Sequence, residues 1–138
     1  MTGSRRRARQ AVLQALYWSE SSGDSVQQTV HTMAIRTGLS SDAAGFAEAL
    51  GRCTWDHRED MDRLIEGVLE NWDLDRIARV DRILLRMALT EIRHFPDIPV
   101  KVSIDEAIEL AKTFSEEKAS AFINGILDAL VKRGDLEA

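Results

Sequence analysis

DRIARVDRILLRMALTEIRHF, residues 75–95, carries apolar side chains at Ile77, Val80, Leu84, Met87, Ala88 and Ile92, the three-and-four spacing of one helical face. Ile83 and Leu85 widen that stripe until the segment is apolar on most sides, so this helix is expected at the centre of the fold. Helical periodicity recurs along the whole chain, and no segment sustains the two-residue alternation of a strand. The fold class read from the sequence is therefore all-α.

Toward the C-terminus, Pro96 and Pro99 should end the central helix and hold FPDIPV extended. Ser103 with Glu106 has capping-box spacing before Ile104, Ala107, Ile108 and Ala111. Ser115, followed by Glu116 and Glu117, is expected to cap a last helix through Phe122, Ile123, Ile126, Leu127 and Leu130, with Gly134 just past its end.

Toward the N-terminus, a loop is expected from Asn71 to Asp75. Before it, Met61, Leu64, Ile65, Val68, Leu69 and Trp72 form an apolar stripe. That stripe either continues an earlier helix or follows a break near Asp56 to Asp60, and the polar DHRED favours a break. Phe46, Ala49, Leu50 and Cys53 share a face behind the caps Ser40, Ser41 and Asp42. Asp24 with Gln27 resembles a capping box ahead of Val30, Met33, Ala34 and Ile35, with Gly38 placed to end that helix. Ala8, Ala11, Val12, Ala15 and Leu16 mark a first helix from about Ser4 to Glu20. Trp18, Trp55 and Trp72 read as core or half-buried anchors.

With 138 residues, one compact domain spanning the chain is expected. The net charge is −5, yet Arg5, Arg6, Arg7 and Arg9 against Glu20 give residues 1–20 a balance of +3, leaving −8 for the rest. Such segregation suits a local polyanion contact at one end of an acidic protein. The single cysteine forms no internal bridge, no apolar run approaches the roughly 20 residues of a membrane span, and a cytoplasmic setting is expected.

Catalytic patterns are missing. His31, His57 and His94 are scattered in sequence without metal-ligand spacing, so no metal or cofactor is expected. Cys53, at an apolar helical position, reads as a small buried residue rather than a nucleophile. The arginine cluster reads two ways: a solvated helix end, or a single-stranded RNA surface in which guanidiniums meet phosphates and Tyr17 stacks on a base. Arg6, Gln10 and Tyr17 share a polar strip, and Arg5 and Arg9 lie at the margin of the apolar face. Phe114 and Phe122 read as core, and Asp81, Arg82 and Arg86 as the polar edge of the central helix.

Four blocks in order resemble the NusB family of bacterial transcription antitermination factors. They are RRRARQAVLQALYW; VDRILLRMALTEI through Asp81, Arg82, Leu85, Arg86, Ala88 and Glu91; PVKVSIDEAIELAKTF through Glu106, Ala107, Glu109, Ala111 and Lys112; and SAFINGILDAL through Phe122, Asn124, Gly125, Leu127 and Asp128. The resemblance spans almost the whole chain and is loosest between residues 21 and 75. It implies about seven helices in two packed bundles, with no covalent chemistry. It also implies binding of boxA-type single-stranded RNA together with NusE, a small-subunit ribosomal protein, in a complex with other Nus factors and RNA polymerase that supports ribosomal RNA transcription. Carried over by position, Arg5, Arg6, Arg7, Arg9 and Tyr17 fall on the RNA surface, with Phe114, Lys118 and Phe122 near the same track. Asp81, Arg82 and Arg86 fall on the partner side.

The chain departs from the family pattern at three places. Asp105 replaces an Asn that it can imitate as a hydrogen-bond acceptor. Thr90 stands where an aromatic is frequent, which implies different local packing. Lys118 stands where relatives can be acidic, which implies tighter but less selective RNA binding. Two rivals remain at this level: the NusB-like front region of some ribosomal RNA cytosine methyltransferases, and a helical scaffold that binds only protein. The sequence leaves open whether the chain pairs as a homodimer.

Overall fold

Seven α-helices and one 3₁₀ turn make up the regular structure of the described residues, with no strand among them. The structure is a computed structural model and describes residues 2–69, 73–134 and 136. Trp72 and the start of the loop expected at Asn71 lie outside them. The helices are α1 (Thr2–Ser22), α2 (Val26–Thr37), α3 (Ser41–Asp56), α4 (Arg58–Val68), α5 (Arg79–His94), α6 (Val100–Phe114) and α7 (Ala119–Arg133), with the 3₁₀ turn at Leu74–Arg76. The chain divides into two compact units, Met1–Asp56 and His57–Ala138. No helix among the described residues is long and apolar enough to cross a membrane.

In the first unit α1, α2 and α3 pack against one another. Ala8, Ala11, Val12, Leu13, Ala15 and Leu16 fill the α1 face. The Ser19 and Thr29 hydroxyls, both buried, share a hydrogen bond of 2.8 Å between α1 and α2. The cap of α2 is Ser25, one residue after the Asp24 expected; Ser25 Oγ accepts from the Gln28 amide, while Asp24 accepts from Trp18 Nε1 at 3.0 Å. Gly38 ends α2 in the left-handed region at φ 69°, as its position predicts. Ser40 accepts from the Ala43 amide at the start of α3.

The α3 face differs from the one expected. Ala43, Ala47, Leu50, Gly51 and Thr54 are buried, Ala49 is exposed, and Phe46 and Cys53 are half-buried. A Cβ on Gly51 would lie 2.8 Å from Val30 Cγ2, so small residues set this face by admitting α2 at close range. On α2, Val30 and Ala34 are buried as expected and are joined by Val26 and Thr29, whereas Ile35, also expected on that face, is 67 % exposed.

The second unit is built on α5, which packs against α4, α6 and α7. Its buried residues Ile83, Leu84, Leu85, Met87, Ala88 and Leu89 confirm a helix apolar on most sides. Burying each of the larger ones contributes roughly 1.5–3 kcal/mol. The break before α4 falls at His57, within the expected stretch. Two caps are elsewhere than the sequence suggests. Helix α6 begins at Val100 behind Pro99, so Ser103 is buried inside it and donates to Glu91 Oε1 at 3.0 Å. Helix α7 begins at Ala119 behind Lys118, and Ser115 instead ends α6. The segment after α5 is a turn rather than extended, closed by the Ile98 amide donating to the Phe95 carbonyl at 3.0 Å.

Candidate nucleic-acid interface

Four arginines in the first two turns of α1 oppose the helix dipole, with no acidic residue there to offset them, so their placement must be explained by what they touch. Arg5, Arg6 and Arg7 are exposed. The Arg5 guanidinium lies over the Phe46 ring of α3, 4.4 Å from its centroid, and Arg9, one turn later, lies 5.3 Å from the same centroid. Cation–π contacts of this kind hold a guanidinium in place without consuming all of its in-plane N–H donors. Arg7 donates through Nη2 to the Thr37 carbonyl. A cation there faces the negative end of α2 and complements the Gly38 cap.

Arg9 is not at the solvent margin expected for it. It is only 3 % exposed, because its helical phase is that of buried Ala8, Val12 and Leu13. Tyr17 is 42 % exposed and stands three turns beyond Arg6, about 16 Å along the helix axis. The first unit thus presents an exposed arginine cluster and an exposed aromatic on one helix. The sequence pattern marks Phe46 only as core, although it lies beneath the arginines; no local pattern joins it to residues some forty positions earlier.

In the second unit Phe114, Lys118 and Phe122 surround the α6–α7 junction. Phe114 is the last residue of α6, Lys118 is the exposed cap of α7, and Phe122 lies in the first turn of α7; both rings are half-buried. Ser115, between them, donates to Asp81 Oδ1 at 2.5 Å, and Asp81 is only 8 % exposed. Arg86, read as a partner residue, makes a bidentate pair with Asp62 of α4, Nε and Nη2 each donating at 2.7 Å. Arg82 is half-buried. The polar edge of α5 is therefore largely turned toward neighbouring helices instead of solvent.

Cys53 is half-buried, and burial, then the charge of Asp56, pushes its thiol up. Raising a thiol in this way suppresses the thiolate that nucleophilic chemistry needs.

The sequence model described as NusB family matches residues 6–132. The transcription antitermination protein NusB of Salinibacter ruber is 43 % identical over 130 residues, covering 93 % of this chain and 81 % of that protein. That of Bacillus subtilis is 42 % identical over 134 residues, covering 96 % and 97 %. Among solved structures, T. maritima NusB superposes with a TM-score of 0.86 at 38 % identity, covering 93 % of this chain and 90 % of that one. Antitermination factors NusB and NusE in complex with dsRNA give 0.87 at 26 % identity, covering 96 % and 99 %. These relatives carry the name of a regulatory factor and not of an enzyme.

Proposed function

This chain belongs to the NusB family, and from that premise we propose that it is a cytoplasmic, non-catalytic transcription antitermination factor acting as one RNA-binding domain. Its substrate is boxA-type single-stranded RNA, bound together with NusE, and the pair joins other Nus factors on RNA polymerase to support ribosomal RNA transcription. The observation that carries this reading is the exposed arginine cluster of α1 with Arg5 seated on Phe46, at the cationic end of an acidic chain. Arg5, Arg6 and Arg7 supply phosphate contacts, and Tyr17 offers a ring to an unpaired base. Arg9 and Phe46 act from beneath as positioning residues. In the second unit Phe114, Lys118 and Phe122 supply RNA contacts of their own, and Asp81, Arg82 and Arg86 support the partner side, Asp81 also holding the α6–α7 junction through Ser115.

The test is binding of the full chain to a boxA-like single strand, a scrambled strand and a duplex, with and without NusE, at two salt concentrations. The proposal expects the boxA-like strand to bind tightest once NusE is present. Equal affinity for all three RNAs in the presence of NusE overturns it. Replacing Lys118 with Glu is expected to weaken binding and flatten its salt dependence; no change in either removes Lys118 from the RNA surface.

A further inference from the structure

Folding brings together two histidines that stand 37 positions apart in the sequence, which is why no spacing motif reveals them. His57 precedes the first turn of α4 and His94 is the last residue of α5. Their imidazoles stack with centroids 4.2 Å apart and planes inclined by 30°. A ring nitrogen of each lies within 4.8 Å of one on the other. Asp60, in the first turn of α4, lies close enough for its charge to act on both rings. Its carboxylate is held by Arg63 at 2.5 Å, in a pair whose side chains are 71 % and 52 % exposed. Such a pair contributes little and opens readily.

We propose that His57 and His94 form a two-imidazole transition-metal site that clamps the start of α4 to the end of α5, with the charge of Asp60 nearby favouring the cation. Two imidazole nitrogens, with water completing the shell, suit zinc, cobalt, nickel or copper, whereas magnesium and calcium need a shell made of oxygen. On a tetrahedral zinc with bonds of about 2.0–2.1 Å, two nitrogens stand about 3.3 Å apart. From a separation within 4.8 Å the pair must close by at most about 1.5 Å, a movement that side-chain torsions at a partly exposed site supply. Arg93 beside His94 opposes the incoming cation, and Asp60 offsets it. The clamp joins the same two helices as the Arg86–Asp62 pair, so an ion bound to the folded chain stabilises the second unit.

The experiment is equilibrium dialysis of the chelator-treated full chain against zinc chloride at neutral pH, with thermal melting in parallel. One ion per chain and a melting temperature that rises with zinc are expected. His57→Gln and His94→Gln should each weaken binding by roughly tenfold or more, while His31→Gln in the first unit leaves it unchanged. Absence of zinc binding, or equal binding by the His57→Gln/His94→Gln double variant, overturns the proposal. Should the variants fold poorly, copper(II) added to the unaltered protein reports directly. Paramagnetic broadening of the His57 and His94 ring protons ahead of those of His31 supports the site, and the reverse order overturns it.

Discussion

Replacing Arg5, Arg6 and Arg7 together by Gln separates charge from position at the proposed RNA surface. All three are exposed, so each can reach one phosphate. On single strands every neutralised phosphate adds about 0.7 to the slope of log affinity against log salt, so the triple variant should have a slope shallower by about 2. Between about 50 and 200 mM salt, one such contact weakens binding about 2.6-fold and three weaken it about 18-fold. The unaltered chain should therefore lose roughly 18-fold more affinity than the triple variant over that range. Arg9→Met is the control: with Arg9 only 3 % exposed, the slope should stay the same while the melting temperature falls. Phe46→Leu keeps every charge but removes the ring under Arg5 and Arg9. By freeing both guanidiniums it should lower affinity at all salt concentrations, by at most about fivefold for each kcal/mol that the cation–π interaction supplies, with the slope preserved. Fluorescence anisotropy of a labelled boxA-like strand, titrated at four salt concentrations, measures all of these. An unchanged slope in the triple variant, or an Arg9→Met slope as shallow as that of a single exposed arginine, refutes the reasoning.

Four other outcomes follow from the second unit. Asp81→Asn retains an acceptor for Ser115 and should bind RNA and NusE as the unaltered chain does, whereas Asp81→Ala should weaken RNA binding; a loss in Asp81→Asn would assign the role to charge. Arg86→Met strands Asp62 in a site where the two side chains are 11 % and 18 % exposed, and should destabilise by about 3 kcal/mol in urea unfolding. A loss of NusE binding with stability intact would instead make Arg86 a partner contact. Thr90 is fully buried and its hydroxyl finds no partner among the described residues, so Thr90→Val should stabilise by about 1 kcal/mol, and destabilisation would reveal a hidden hydrogen bond. Burial, followed by the charges of His57 and Arg93, holds the His94 imidazole below its ordinary value of 6.5. Because the unfolded chain then takes up that proton more readily, the stability contributed by neutral His94 is complete above about 6.5 and declines as the pH falls below it. Ring-proton titration by NMR should find the depressed value and see it rise in His57→Gln.

Much of this architecture was legible because helical periodicity is a local property. The central helix, the break at His57, and the stops at Gly38 and Gly134 all follow from short windows of sequence. Caps were less legible, since Asp24, Ser103 and Ser115 have the right chemistry to open a helix and are each engaged elsewhere, by Trp18, Glu91 and Asp81 respectively. A hydroxyl or carboxylate is assigned by its strongest available partner, and that partner comes from another helix. The site was divided in the same way. The arginine run was visible as charge, but the inward turn of Arg9 depends on helical phase, and the roles of Phe46 and the His57–His94 pair depend on contacts between distant segments.

The polar edge of α5 follows from the same physics. A helix that is apolar on most sides becomes surrounded by other helices, so its few polar side chains can no longer remain in water and must find partners. Asp81 meets Ser115 at the α6–α7 junction, Arg86 meets Asp62 on α4, and Glu91 meets Ser103 on α6. The ties therefore fix α4 and both ends of α6 against the central helix. The Asp81–Ser115 tie is the one with a direct consequence for the proposed function. Ser115 directly follows Phe114 and stands three residues before Lys118, so the carboxylate of α5 sets the position of the junction that carries both of these proposed RNA contacts. On this reading Asp81 affects RNA binding without touching RNA. A binding surface can in this way depend on the residues that hold it as well as on those that line it.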